Sequence, residues 1–201
     1  MNKRILSLIA AACLAVVAQA QPTNFGFENG DFTGWSTTNF TSVQTSASIN
    51  NTTITAYEGT YFALLSTGLG VDVPSVVTQT FVMGVGDMIS GAAGFITTDY
   101  QPFNDYGSAV LSIGQGSAVL FSANVGSVGD YGNSGWTPWS YTATAAGSYT
   151  LTYSVANSGD NAASSYAYVD ASQTNSVPDA TSTFMLAVLG FGAVAALRPR
   201  L

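Results

Sequence analysis

The sequence contains no histidine, one cysteine and only four basic residues. The basic residues all lie near the two ends of the chain, at Lys3, Arg4, Arg198 and Arg200. Residues 21–176 therefore contain ten acidic residues and no basic one, which is a formal charge of −10. Nucleic-acid affinity depends on Lys and Arg side chains that neutralise phosphates, and anionic lipid surfaces attract the same side chains. The composition argues against nucleic acid as a partner and leaves neutral molecules or cations.

Few residue types remain for catalysis. Without histidine, lysine or a retained cysteine, a serine nucleophile lacks its usual base. Two carboxylates can hydrolyse a glycoside as acid and base, and Asp99 with Asp105 or Asp160 is the best such pair. Acidic residues in Asn- and Gly-rich turns are usually turn formers, however. We therefore expect no enzymatic activity, and a glycoside hydrolase is the less favoured alternative.

The N-terminus has the features of an export signal. Basic residues 2–4 precede an apolar run over residues 5–17, and Ala18-Gln19-Ala20 fits the small-residue cleavage pattern. This predicts a signal peptide over residues 1–20, cleaved between Ala20 and Gln21. Cys13 lies inside the apolar run, so the mature chain has no cysteine and no disulfide. A lipid-attachment site at Cys13 is the weaker alternative.

The C-terminus contains a second apolar segment. Residues 180–197 include no charged side chain, and Arg198 and Arg200 follow directly. As a helix, this segment would rise about 27 Å, close to the ~30 Å hydrocarbon core of a bilayer. Basic residues at its end are typical of the cytoplasmic side of a membrane span. We expect a transmembrane helix within residues 177–201.

The region between these ends, residues 21–176, has the pattern of one all-β domain. Short segments rich in Val, Thr, Tyr and Phe alternate with clusters of Gly, Asn and Asp. The predicted strands lie within residues 41–48, 60–65, 75–83, 108–114, 117–125, 139–145, 148–156 and 165–171. Their number and spacing favour an antiparallel β-sandwich. Residues 171–179 are expected to form a short polar tether.

Alternation along the strands predicts which side chains are buried. If residues 148–156 form a β-strand, Tyr149, Leu151, Tyr153 and Val155 share one face, and the Ser and Thr residues between them lie on the other. The predicted core consists of Phe27, Trp35, Phe62, Leu64, Phe81, Leu111, Leu120, Tyr141, Leu151, Tyr153 and Val169. Trp139 shares strand parity with Ala143 and is also expected in the core.

The C-terminal segment resembles the PEP-CTERM class of sorting signals, in the variant that begins Val-Pro-Asp. Val177, Pro178 and Asp179 match that motif, and the apolar span and basic end follow in the same order. The resemblance implies recognition by an exosortase at the inner membrane of a Gram-negative bacterium, after signal peptidase has acted. It also implies a final location at the cell surface or in the extracellular matrix, with the membrane anchor being temporary.

The domain is similar to galactose-binding-like jelly rolls, which include many carbohydrate-binding modules. The matching segments are NFGFENGDFTGW from Asn24 to Trp35, YEGTYFALL from Tyr57, and YVDA around Asp170. The resemblance implies a jelly-roll sandwich and a structural Ca²⁺ ion. By motif, Glu28 and Asp170 would supply carboxylates, and carbonyls near Asn24, Gly30 and Thr60 would complete the oxygen shell that calcium takes. The alternative is that Glu28 is an exposed turn residue and Asp170 ends a strand.

Two further groups are candidate ligand contacts. Asp99, Asn104, Asp105 and Asp160 form a second, weaker set of oxygen ligands. Trp136, beside a Gly-rich loop, is the best candidate for stacking on a sugar, although packing is the favoured role for its ring. Two functions remain open: an exported, non-catalytic protein that binds extracellular polysaccharide, and a structural adhesin or coat component without a specific small ligand.

Overall fold

A computed structural model of the protein describes residues 22–68 and 70–175, with side chains described as far as Ala171. Within these residues, twelve strands and one helical turn are formed, and the strands run antiparallel. In chain order they are β1 (Ser36–Thr38), β2 (Thr41–Gln44), β3 (Ser46–Ile49), β4 (Thr52–Thr55), β5 (Phe62–Ser66), β6 (Ser75–Met83), β7 (Met88–Thr97), β8 (Tyr106–Ile113), β9 (Gly116–Asn124), α1 (Val125–Val128), β10 (Thr137–Thr142), β11 (Gly147–Ala156) and β12 (Ser165–Asn175).

The strands form two five-stranded sheets and one separate hairpin. The first sheet has the order β1-β6-β11-β8-β9, and the second has the order β10-β7-β12-β5-β2. The hairpin consists of β3 and β4. Side chains from the inner faces of the two sheets meet in a shared core. The predicted all-β, antiparallel jelly-roll sandwich is confirmed.

The alternation along β11 accounts for the core. Tyr149, Leu151, Tyr153 and Val155 are all at most 1% exposed, whereas the Ser and Thr residues between them face outward. Eight of the predicted core residues are buried: Phe27, Trp35, Phe62, Phe81, Leu111, Leu151, Tyr153 and Val169. The other three, Leu64, Leu120 and Tyr141, are half-buried and pack against the buried clusters. Trp139 is buried as expected.

A second apolar cluster lies on the outer face of the second sheet. Ile49 and Ile54 of the β3–β4 hairpin pack there with Phe62, Ile96 and Tyr168. The neighbours of these sheet residues along the strands, such as Ala63 and Phe95, point into the main core instead. The hairpin therefore covers part of a sheet surface that would otherwise expose large apolar side chains.

Two sequence-based boundaries differ most from the structure. The segment 41–48 is divided at Thr45, where the chain leaves the second sheet at the end of β2 and enters the hairpin as β3. The prediction of a tether from residue 171 is wrong over residues 171–175, because β12 continues to Asn175. Beyond a bulge after Ala171, residues Gln173 to Asn175 still pair with Ser90 to Met88 of β7.

The predictions for the two ends of the chain fall outside the described residues. These include Ala20 and Gln21, the Val177–Asp179 motif and the apolar segment 180–197. In the described part of the chain, no helix has the length and apolar character that crossing a membrane requires.

Candidate functional site

Four loops meet at one end of the sandwich, which we call the apical end. They are residues 67–74 after β5, 98–105 after β7, 125–136 after β9 and 157–164 after β11, with residue 69 not described. Strand register brings them together, because Ser165 pairs with Thr97 and Ala156 pairs with Tyr106. Antiparallel strands that end side by side place their connecting loops at the same end of the sheet.

An exposed group of aromatic rings, the apical aromatic cluster, consists of Tyr100, Phe103 and Tyr131. The Tyr100 and Tyr131 ring centroids are 5.9 Å apart with an interplanar angle of 35°, and the Tyr100 and Phe103 centroids are 5.6 Å apart in an edge-to-face arrangement. Tyr100 is 45% exposed and Tyr131 is 57% exposed, whereas Phe103 is half-buried. The two tyrosines therefore present ring surface to solvent.

Backbone hydrogen bonds hold this cluster in place. Tyr131 N donates to Asp99 O at 2.8 Å, and Phe103 N donates to Tyr100 O at 3.0 Å. Gln101 N donates to Asp130 Oδ1 at 2.9 Å, which ties the loop after β7 to the loop after α1. The two exposed rings are thus positioned by the chain beneath them rather than by contacts between side chains alone.

Exposed apolar side chains are concentrated at this end of the molecule. Of the nine large apolar side chains exposed in the described residues, six belong to the apical end. Besides Tyr100 and Tyr131, they are Phe40, Val71, Val73 and Tyr106. A concentration of exposed apolar groups is a usual mark of an interaction site on a soluble domain.

Beneath the aromatic cluster lies a buried polar group that links the two sheets. Asp105 is fully buried; its Oδ1 accepts from Ser158 N at 2.8 Å and its Oδ2 accepts from Ser165 Oγ at 2.7 Å. Ser165 Oγ also lies 2.7 Å from Thr97 Oγ1, which accepts from Asp99 N at 2.8 Å. These contacts join the ends of β7 and β11 to the starts of β8 and β12.

Burial raises the pKa of Asp105 above its usual value, and the charges of Asp99 and Asp160 add to this increase. The hydrogen bonds from Ser165 and Ser158 act in the opposite direction. The predicted residues Asp99, Asp105 and Asp160 are therefore close enough to interact electrostatically. Asn104 belongs to the same end, where its Oδ1 accepts from Gly126 N at 2.8 Å and from Gln101 Nε2 at 3.2 Å.

Trp136 lies away from this cluster, against the β3–β4 hairpin. Its Nε1 donates to Thr55 O at 3.1 Å, and its ring centroid is 4.7 Å from that of Tyr168 and 6.1 Å from that of Phe62. Tyr57, 40% exposed, is 5.9 Å away on the outer side. These contacts agree with the packing role, and a ligand contact at Trp136 stays a prediction.

The two carboxylates expected to bind calcium converge on one loop. Asp170 Oδ2 accepts from Tyr57 N and Glu58 N, both at 3.0 Å, and Glu28 accepts from Thr60 N at 3.1 Å. Gly59 between them has a φ of +66°, and a Cβ there would collide with the Glu28 carboxylate. Only glycine accommodates both this backbone conformation and the close approach.

No basic side chain of residues 21–176 is available to neutralise the charge of these carboxylates. Asp170 is 1% exposed; burial raises its pKa to about 7, and the charges of Glu28 and Glu58 contribute, against the hydrogen bonds from Glu58 and Tyr57. Carboxylate and carbonyl oxygens are the ligands that calcium takes, so the residue types fit that ion. No three acidic, histidine or cysteine side chains of the described chain are arranged to hold a metal, so carbonyl oxygens would have to complete the shell.

The proposed carbonyl ligands differ in their surroundings. Asn24 O accepts from Phe27 N at 3.0 Å and from Trp35 Nε1 at 2.9 Å, so it already has two donors. Gly30 lies against Tyr61, and a Cβ added to this glycine would be 3.3 Å from the tyrosine ring. Thr60 is bound to Glu28 through its amide. The structure thus brings Gly30 and Thr60 to the neighbourhood of Glu28, and directs Asn24 O towards the core.

The sequence matches no protein-family model and no curated protein. Among solved structures, the chain is similar to a family 61 carbohydrate-binding module in complex with β-1,4-galactotriose, at 17% identity over 73% of this chain and 91% of that chain, with a TM-score of 0.48. A family 16 carbohydrate-binding module has 15% identity over 76% of this chain and 99% of its own, with a TM-score of 0.41. A xylan-binding module from Paenibacillus barcinonensis has 13% identity over 73% and 91%, with a TM-score of 0.38.

These structural neighbours are carbohydrate-binding modules. The apical aromatic cluster is the feature that sequence-based reasoning missed. The available signal was the segment DYQPFNDY, where Tyr100 and Phe103 stand in a turn-forming stretch and strand alternation gives no reason to bury them.

Proposed function

We propose that the domain is a non-catalytic, exported module that binds a neutral polysaccharide at the apical aromatic cluster. The observation that carries this proposal is the pair of exposed, backbone-anchored rings of Tyr100 and Tyr131, 5.9 Å apart. Sugar rings have apolar C–H faces that pack on aromatic rings, and tyrosine adds a hydroxyl that can bind the polar edge of the sugar.

The surroundings of the cluster suit a neutral ligand. Binding sites usually combine aromatic surface with a few polar groups that fix orientation, and Gln101, Asn104 and Asp130 provide amide and carboxylate groups at its margin. Residues 21–176 contain ten acids and no basic residue, so an acidic polysaccharide would be repelled. We therefore assign the ligand class as neutral hexose or pentose polymers.

A catalytic role is not part of the proposal. Asp105, the acid with a raised pKa at the apical end, is fully buried and both its oxygens accept hydrogen bonds. A general acid must reach the leaving-group oxygen of the glycosidic bond. Asp105 lies beneath the surface loops and has no such access.

The test is a glycan array followed by calorimetry on the chain and three variants. Tyr100→Ala and Tyr131→Ala should each lower affinity by up to about tenfold, since each removes one stacking surface worth about 0.5–1.5 kcal/mol. Tyr57→Ala is the matched control, because Tyr57 is also an exposed tyrosine but lies beside Trp136. Binding that is lost only in Tyr57→Ala would place the sugar at Trp136 and contradict the apical site.

A structural adhesin or coat component is the second candidate function. The observation that favours it is the outer face of the first sheet. The side chains that point outward from its central strands β6 and β11 are valine, threonine and serine. Thr78 and Thr152 are 3.0 Å apart through their hydroxyls, and Thr80 and Thr150 are 2.8 Å apart. Such an uncharged face suits packing against other macromolecules. An array without any saturable ligand would support this second candidate.

We also propose that export and sorting follow the expectations for the chain ends, with signal peptidase acting after Ala20 and an exosortase acting at Val177–Asp179. The support is the order of basic, apolar and cleavage residues at each end. Calcium at Glu28 and Asp170 is likewise a proposal, supported by the convergence of two carboxylates without a basic partner.

A further inference from the structure

The strongest unexplained feature of the molecule is a set of buried polar atoms without partners at the apical end. Asp99 is 2% exposed and Asn157 is 1% exposed. Asp99 Oδ2 and both polar side-chain atoms of Asn157, Nδ2 and Oδ1, are buried and have no hydrogen-bond partner among the residues that the structure describes. More than nine-tenths of buried polar groups in proteins are hydrogen-bonded, so three such atoms in neighbouring loops require an explanation.

Hydrogen bonds connect the backbone next to these side chains to Asp105. Ser158 N, the amide next to Asn157, donates to Asp105 Oδ1 at 2.8 Å. On the other side, Asp105 Oδ2 connects through Ser165 Oγ and Thr97 Oγ1 to the amide of Asp99. Asp99 and Asn157 therefore flank the same buried carboxylate.

The charges in this group have no counterion in the domain. Asp99 and Asp105 are both buried, and residues 21–176 contain no basic side chain. A buried carboxylate is costly unless it is paired or binds a metal. Asp99 Oδ1 accepts from the amide of Tyr100 at 2.8 Å. The surroundings of Asp105 thus have an excess of negative charge and contain buried oxygen atoms that accept no hydrogen bond from the described residues.

We propose that a divalent cation of the calcium type binds at this position, with Asp99 Oδ2 and Asn157 Oδ1 as ligands and Asp105 as the second negative charge. Calcium accepts carboxylate, amide and water oxygens together. Because two carboxylates rather than three are present, the site belongs to the weak class found in extracellular modules, with a Kd of about 0.1–1 mM. Water fills the remaining positions and accepts from Asn157 Nδ2.

The cation also acts on the sugar-binding surface, and this part of the inference rests on the proposed function. The amide of Tyr100 donates to Asp99 Oδ1, and the amide of Tyr131 donates to Asp99 O. A cation that fixes Asp99 therefore fixes the backbone beneath both exposed rings. By linkage, cation and polysaccharide strengthen each other's binding by the same factor.

Cation binding is tested on the full-length chain by Tb³⁺ luminescence, with Ca²⁺ as competitor, in a Glu28→Gln background that removes the other candidate site. Tb³⁺ takes the same oxygen ligands, and tyrosine beside the ion sensitises its emission. We expect saturable emission that Ca²⁺ displaces. Asp99→Asn should weaken binding about tenfold, since one ligand charge is lost. No emission in the Glu28→Gln background, or an unchanged affinity in Asp99→Asn, would overturn the site.

A second variant keeps the test decisive if Asp99→Asn does not fold. Asn157→Asp adds a carboxylate in place of the amide oxygen, so it should tighten Ca²⁺ binding about tenfold while it lowers stability in chelator. A merely structural asparagine would give the loss of stability without the gain in affinity. Unchanged affinity in Asn157→Asp would therefore also contradict the proposal.

The effect on sugar binding is measured separately, by calorimetry with the best ligand from the array, in Ca²⁺ and in chelator. A tighter Kd in Ca²⁺ that is lost in Asp99→Asn supports the coupling, and equal Kd values refute it. If the chain binds no glycan but Asp99-dependent Tb³⁺ emission is present, the proposed function fails and the cation site stands.

Discussion

At the scale of single residues, acid groups without basic partners determine both candidate cation sites. Asp170 and Asp99 lie in different parts of the domain, and each is almost completely buried. Asp170 Oδ2 accepts two backbone amides. Asp99 accepts one amide at Oδ1, and its Oδ2 has no partner among the described residues. Asp170 is therefore better stabilised without a metal than Asp99 is.

We expect calcium to stabilise the protein through Glu28 and Asp170. The experiment is thermal melting of the Asp99→Asn chain, in which binding at the apical site is expected to be about tenfold weaker, with calcium and with a chelator. Binding to the native state should add about 2.7 kcal/mol at a hundredfold excess over Kd. Asp170→Asn and Glu28→Gln should abolish the rise, because each removes a ligand charge.

The matched control for this experiment is Asp72→Asn, which changes an exposed acid of the loop before β6. It should melt with the same calcium-dependent rise as its parent. A parent chain that melts identically in calcium and in chelator would contradict the site.

Tyr149 provides a prediction about alkaline pH. Burial raises its pKa above 10.0, with a contribution from Tyr141, and its hydroxyl donates to Ala145 O at 2.6 Å. A raised native pKa means that the folded state holds the proton more tightly, so this stabilisation is complete below about pH 10 and is lost as pH rises through the native pKa.

The change to make is Tyr149→Phe. At neutral pH it should cost about 1 kcal/mol through the lost hydrogen bond. Above pH 10 the difference from wild type should shrink, because only wild type loses the tyrosine contribution. Urea unfolding at pH 7 and pH 11 measures both values, and Tyr57→Phe is the exposed control. A difference that stays constant with pH would contradict this assignment.

The same scale shows how much of the sites could be predicted. Glu28 and Asp170 are far apart in sequence, and only a motif resemblance connected them. Sequence patterns did not connect Tyr100 with Tyr131, because their contact depends on a hydrogen bond from the Tyr131 amide to the Asp99 carbonyl. Such a bond joins two loops whose conformations have no periodic pattern, so alternation and composition could not predict it.

At the scale of elements, the strands with strong alternation were predictable. The segment 75–83 coincides with β6, and the buried face of β11 is the predicted one. β7 was missed although it lies in the second sheet between β10 and β12. Its centre, Gly91 to Gly94, contains only Gly and Ala, which have low strand propensity.

The partner strand explains the composition of β7. A Cβ on Gly94 would overlap the ring of Tyr168, and a Cβ on Gly91 would lie 2.7 Å from the Trp139 ring. The small residues of β7 thus make room for large aromatic side chains on the neighbouring strands. Such a requirement is invisible in β7 itself, because it depends on which strands become its neighbours.

We expect Gly94→Ala to destabilise the protein by about 1–3 kcal/mol, since the added methyl group must displace a buried ring. Urea unfolding measures the change. Gly147→Ala on β11 is the matched control, because no atom lies within 4 Å of its Cβ position. Equal midpoints for the two variants would show that Tyr168 does not limit the space at Gly94.

At the scale of the whole molecule, the charge distribution separates the domain from the chain ends. All basic residues lie outside residues 21–176, and all but one of the acids lie inside. Asp170 is five residues from Ser165 along β12, so the proposed calcium position at Glu28 and Asp170 and the apical end are about 17 Å apart. Two separate cation sites in a domain of charge −10 would reduce its self-repulsion from different sides.

The last prediction concerns the two ends of the chain. If signal peptidase cleaves after Ala20 and an exosortase cleaves near Val177–Asp179, the mature protein contains the whole acidic domain and none of the four basic residues. Intact-mass measurement of the protein recovered from the surface fraction of the producing organism should give a species that begins at Gln21 and ends near Val177.

Replacement of Val177-Pro178-Asp179 by alanines serves as the variant, because it leaves the apolar span and the arginines unchanged. This variant should accumulate in the inner membrane with Phe184 to Leu201 still attached. Wild-type protein that stays in the inner membrane at this longer mass would indicate an ordinary membrane anchor. The apical aromatic cluster would then face the periplasm instead of the cell exterior, since a retained basic end keeps the C-terminus on the cytoplasmic side.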